Sequence, residues 1–120
     1  MNNGYSIDTL KEDGKKLAEM FLWISNNMEK LQADEDMMKL CSHWKLRFPL
    51  MLFEANENDV LLQTVFPDNE INKWFDNIEV YIDDCFSILS VKVDIYEPRK
   101  WNNMGGYEIF FRVYRVRPSN

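Results

Sequence analysis

Residues 67–86 read PDNEINKWFDNIEVYIDDCF, and their periodicity decides the kind of fold. Ile71, Trp74, Phe75, Ile78, Ile82 and Phe86 recur at spacings of three and four, so a helix here carries them as one apolar stripe, with Tyr81 and Cys85 at its margin. Glu70, Asp76, Asp83 and Asp84 fall on the opposite side, offset only by Lys73. Such a helix buries one face and turns a row of carboxylates outward. Pro67 suits a helix start, and Asp68 or Asn69 supplies the cap.

Outward from this stretch the period changes. Upstream, residues 60–66 are rich in β-branched and apolar side chains, Asn56-Glu57-Asn58-Asp59 has turn composition, and residues 44–52 alternate. In that alternation Trp44, Leu46, Phe48, Leu50 and Leu52 face one way, with Lys45, Arg47, Pro49 and Met51 between them. The two runs predict a hairpin. Pro49 has no N–H for a ladder, which puts its strand at a sheet edge or at a bulge. Before the hairpin, Leu10, Leu17, Met20, Phe21, Ile24, Met28 and Leu31 mark a first helix over about 7–32, with Thr9 and Glu12 at capping-box spacing. Gly14 weakens the start of that helix, whose regular part is placed from about 14 or 15. Asp34 is the expected cap of a second, shorter helix to about 43.

Downstream, Leu89, Val91, Val93 and Ile95 share one face of a strand, residues 97–106 (EPRKWNNMGG) read as a loop, and residues 107–116 as the last strand. In that last strand Ile109, Phe111 and Val113 point inward, while Phe110, Arg112, Tyr114 and Val116 point outward. The order is therefore αα-ββ-α-ββ. A single α+β domain over 1–120 follows, its antiparallel or mixed sheet covered by helices on one face.

The chain has 120 residues, of which 46% are hydrophobic and 14% aromatic, enough to bury a core without staples. A net charge of -6 argues against nonspecific binding to nucleic acid or anionic membranes, both of which need cationic surface. No apolar run is long enough for a membrane span, and the first residues lack a signal-peptide layout, so a cytoplasmic location is expected. The charge is uneven: residues 54–84 carry nine acids against one base, and residues 98–120 carry five bases against one acid. A solvated, solubilising face accounts for such a run as well as a binding face does.

Candidate chemistry is sparse. Cys41 and His43, one residue apart on a helix, point to different sides, which is poor geometry for proton transfer, and His43 near a helix end serves the dipole. Cys41, His43 and Cys85 have no finger-like spacing, neighbouring Asp83 and Asp84 diverge on a helix, and no metal site is expected. Gly105 and Gly106 sit in a loop with no helix after it, so they serve a turn and not a phosphate. Catalysis would need an accessible, titratable Cys41, Cys85 or His43, whereas both thiols lie on apolar stripes and are expected buried and reduced. The expectation is a protein that is not an enzyme and holds no cofactor.

Two surfaces remain as binding candidates. One is acidic, with Glu54, Glu57, Asp59, Glu70, Asp76, Asp83 and Asp84; the other is aromatic, with Tyr96, Phe110, Arg112 and Tyr114 beside Arg99 and Trp101. Carboxylates in a row offer Arg and Lys side chains the partners they would find in phosphates. The expected function is thus a small acidic inhibitor that occludes a basic cleft, either an immunity protein of a toxin nuclease or a phage or mobile-element inhibitor of a nucleic-acid enzyme. Its partner would be a basic protein. The alternative is a structural or chaperone-like module, homodimeric through the last hairpin. The aromatic face favours protein over RNA, since the remaining surface repels phosphate.

Overall fold

The computed structural model describes residues 7–46, 49–66, 91–96, 98–101 and 106–116. Helix α1 runs over Ile7–Asn26. It begins ahead of Thr9 and runs regularly through Gly14, so Thr9 and Glu12 lie inside its first turns and not at its start. Leu10, Leu17, Met20, Phe21 and Ile24 are buried, as the stripe requires. The helix ends short of the expected 32 for a local reason. Ser25 Oγ and Asn26 Nδ2 both donate to the Leu22 carbonyl, and Asn27 Nδ2 donates to that of Trp23. A continuing helix would use the Trp23 carbonyl for the Asn27 N–H; the Asn27 side chain takes it instead, and that N–H closes on the Ile24 carbonyl at 3.0 Å. A 3-10 turn, Met28–Lys30, follows.

Helix α2 spans Asp34–Trp44, and its cap is Ala33, not Asp34. The capping carboxylate comes from one turn inside: Asp36 Oδ2 accepts the backbone N–H groups of Gln32 (2.9 Å) and Ala33 (3.0 Å). Those donors, Gln32 first and then Ala33, hold Asp36 below its ordinary value of 3.8. At the other end Lys45 adopts the left-handed conformation (φ 53°), and the Leu46 N–H closes on the Cys41 carbonyl at 3.1 Å. This stop corrects the strand expected over 44–52. Trp44 and Leu46 reach the core from a helix end and its cap, and the first strand, β1, covers only Met51–Ala55.

The other strands are β2 (Asp59–Phe66), β3 (Val93–Ile95), β4 (Arg99–Trp101) and β5 (Gly106–Tyr114). Every described pairing is antiparallel, in the order β1-β2-β5-β3, with β4 also on β5. Strand β2 pairs β5 from Asp59↔Tyr114 to Phe66↔Tyr107. On the other edge of β5, β3 and β4 follow one another: Ile95 lies opposite Phe111, the Tyr96 N–H reaches the Phe110 carbonyl, and Arg99 lies opposite Glu108. The loop expected over 97–106 is therefore a strand again from Arg99 to Trp101. Pro98, which cannot donate, lies in the gap between β3 and β4. Strand β1 is an edge of the described sheet, and its register shifts between Leu52 and Glu54. Edge and bulge both occur, although Pro49 itself precedes the strand.

The helices pack on one face of this α+β sheet. Val60, Leu62, Ile109, Phe111 and Val113 are fully buried beneath them, and the Phe21 and Phe111 rings lie 5.4 Å apart. The apolar inner face packing on the helices is the main source of stability. The helix expected over 68–86, with Glu70, Asp76, Asp83, Asp84 and Cys85, lies outside the described residues. No described helix is long and apolar enough to cross a membrane.

Candidate binding face

Side chains alternate along β5, so the strand that sends Ile109, Phe111 and Val113 into the core sends Glu108, Phe110, Arg112 and Tyr114 to the outer face. Leu61 and Gln63 join them from β2, Asp94 from β3 and Arg99 from β4. Phe53, the residue at the β1 register shift, meets Phe110 edge-on at 5.0 Å. The Arg99 guanidinium covers another part of the same ring at 5.2 Å. Phe110 is consequently only 8% exposed, whereas Phe53 is 58% and Tyr96 42% exposed. Together with Leu61, Arg99 and Arg112, these three rings line a depression of about 480 Å³.

The charges around the depression satisfy one another. Arg112 Nη1 pairs with Asp59 Oδ2 at 3.1 Å, and its Nε donates to the Tyr96 hydroxyl at 3.1 Å. The hydrogen bond to Tyr96 and the pairing with Asp59 hold the guanidinium firmly charged. The other oxygen of Asp59 accepts Asn56 Nδ2 at 2.7 Å. Arg99 Nε and Gln63 Nε2 each reach a separate oxygen of the buried Glu108 carboxylate at 2.7 Å. Tyr114 donates its hydroxyl to Asp94 at 2.5 Å, which with local desolvation pushes the phenol up to about 12, and Lys92 Nζ lies 4.7 Å from the Tyr114 ring centre. An apolar centre ringed by charges that already have partners gives up little when water leaves. That is the physical requirement for the core of a protein–protein interface.

The sequence-derived candidates separate. Phe110, Arg112 and Tyr114 come together with Tyr96 and Arg99 as expected, and Trp101 stands opposite Gly106 in the β4–β5 register. Strand β5 has neighbours on both edges, so any contact through it is face to face and not edge to edge. Asp59 belongs to this network, and Asn56 Nδ2 links it to the exposed Glu54, reaching Glu54 Oε2 at 2.9 Å and Asp59 Oδ1 at 2.7 Å. Glu57 is exposed in the β1–β2 turn, where its carbonyl accepts Arg115 Nε. Phe53 and Leu61 were not foreseen. The alternation read over 44–52 stops before Phe53, whose ring meets Phe110 across β2 from the β1 register shift.

The chemical candidates hold local positions. Leu50 N–H donates to Cys41 Sγ at 3.3 Å, and burial pushes this thiol up, partly opposed by that bond. His43 is exposed in the last turn of α2, edge-on to Trp44 at 4.6 Å. Among the described residues no group of three His, Cys, Asp or Glu side chains is placed to hold a metal ion.

No protein-family model matches this chain, and no curated protein sequence matches it. Solved H-NOX structures show a weak likeness. An H-NOX protein from work on heme distortion has 13% identity and a TM-score of 0.41 over 94% of this chain and 63% of its own. A mutant H-NOX from T. tengcongensis has 13% identity and a TM-score of 0.40 over 92% of this chain and 64% of its own. The chain thus spans less than two thirds of these proteins' length. A likeness this weak carries no inference about fold or function.

Proposed function

We propose that this protein is a non-catalytic binding protein that engages a basic protein partner, with the outer face of its sheet as the anchoring surface. The observation behind this reading is the depression between Phe53, Tyr96 and Phe110, an aromatic centre whose flanking arginines are already paired. Aromatic and arginine side chains in desolvated surroundings are where interface energy concentrates. The sign of the partner follows from the net charge of -6 and from the nine acids within residues 54–84. Those carboxylates attract at a distance and the aromatic face holds at contact, which divides on-rate from residence time.

Inhibition is the form of this function that the charge favours: an acidic protein seated over a basic nuclease or polymerase-like cleft displaces phosphate by offering carboxylates. Glu57, Glu70, Asp76, Asp83 and Asp84 are the residues assigned to that attraction. Capture of partners from native lysate at low and high salt tests the reading. The expected result is one basic protein retained in stoichiometric amount, whose association slows as salt rises and slows further when Asp76, Asp83 and Asp84 are reversed to Lys. Capture of the chain by itself alone would instead favour a homodimer, joined through the same outer face.

A further inference from the structure

The helical layer holds a second groove, and we propose that it receives an acidic protein segment carrying bulky apolar side chains. The groove measures about 530 Å³ and lies where α1, the 3-10 turn and α2 meet. Its floor is apolar: Leu31 is buried, and Trp23, Leu40 and Trp44 are half-buried against the core. Its rim is cationic. Lys30 and Lys39 are both exposed, and among the described residues neither lies within 4.0 Å of a carboxylate in an ion pair. Lys30 Nζ stands 6.0 Å from the Trp23 ring centre.

The one carboxylate lining the groove, Asp36, is occupied with the backbone N–H groups of Gln32 and Ala33. Lys39 also feels the Asp36 charge, so the groove lining carries two lysines against one carboxylate, on a chain whose net charge is -6. Charge complementarity selects the occupant. A basic segment meets Lys30 and Lys39 and is repelled; an acidic one gains two partners and places a Leu or Phe side chain between Trp23 and Trp44. An anionic membrane is disfavoured, because surface attraction of that kind takes clusters of roughly four to eight bases, not two on an acidic protein. This site is independent of the outer sheet face and takes a partner of opposite charge.

The test follows the indole N–H signals of Trp23 and Trp44 in nitrogen-labelled full-length protein, assigned by single Trp→Phe substitution. The probe is a short amphipathic peptide of Glu, Leu and Phe; its Lys-for-Glu counterpart and phosphatidylserine-containing vesicles are titrated separately. Saturable shifts of both indoles with the Glu peptide, absent with the Lys peptide, are expected. The double variant Lys30→Glu, Lys39→Glu should weaken that binding by at least about tenfold while leaving the thermal transition in place, since both side chains are exposed. Leu40→Ser, which removes floor and not charge, should weaken it as well. Equal response to the Lys peptide, a stronger response to vesicles, no saturable shift, or unchanged affinity in the charge-reversed protein would each overturn the proposal.

Discussion

Strand β5 presents two surroundings within nine residues. On one side Ile109, Phe111 and Val113 are 0% exposed beneath the helices; on the other Phe110, Arg112 and Tyr114 sit among paired charges and partly exposed rings. The inner face is held by apolar area and by the fit of Phe21 to Phe111, so its energy belongs to folding. On the outer face, Arg99–Glu108 and Arg112–Asp59 are ion pairs with at least one member in partial contact with water, each adding modestly to stability. A sheet does not need such a face in order to fold. On the proposed reading its order prepares contact, because side chains already fixed in place lose less freedom on binding.

Perturbing each face separates the two. Phe111→Ala should cost about 3–5 kcal/mol in urea unfolding, the usual range for emptying a fully packed aromatic site. A cost no greater than that of Tyr114→Ala would mean the two faces are energetically alike. Glu108→Ala should cost toward the lower end of about 1–3 kcal/mol, because it strands Gln63 and the Arg99 guanidinium, the latter being largely exposed. Thr64 sharpens the contrast from the inside. It lies opposite Ile109, is fully buried, and among the described residues its hydroxyl has no hydrogen-bond partner. Thr64→Val should be neutral or stabilising by up to about 1 kcal/mol in the same unfolding assay.

The smallest effect concerns neither face but the start of α2. Asp36 is held below 3.8 by backbone donors, so the stability it adds is fully present above that value and is lost as pH falls through its lower, folded value. The difference in melting temperature between the protein and Asp36→Asn should therefore be constant near neutrality and shrink at strongly acidic pH. A difference that grew on acidification would contradict this assignment.

Much of the outer face was legible because a period of two needs only local sequence: the alternation over 107–116 assigns Phe111 inward and Arg112 outward without knowledge of any neighbour. Three features were not legible. Residues 44–46 mimic a strand, but their alternation belongs to a helix end closed by a left-handed Lys45, and a cap and a strand start look alike in apolar pattern. Arg99 to Trp101 read as loop because Pro98 precedes them, yet Glu108 across the ladder gives Arg99 a partner that no local window contains. Phe53 lies one residue past the alternation read over 44–52, and its contact with Phe110 depends on a strand order that no local window contains. The acidic positions Glu70, Asp76, Asp83 and Asp84 were legible only as a helical pattern.

The most direct test of the central claim, that the outer sheet face is the binding surface, is the affinity of the captured basic partner for the protein and for its Phe53→Ser variant. Phe53 is 58% exposed and its main ring contact is Phe110, so the substitution should lower stability by no more than about 1.5 kcal/mol and leave the protein folded. The account predicts at least about a tenfold faster dissociation for the variant, with association nearly unchanged. Identical dissociation rates for the two proteins would contradict it.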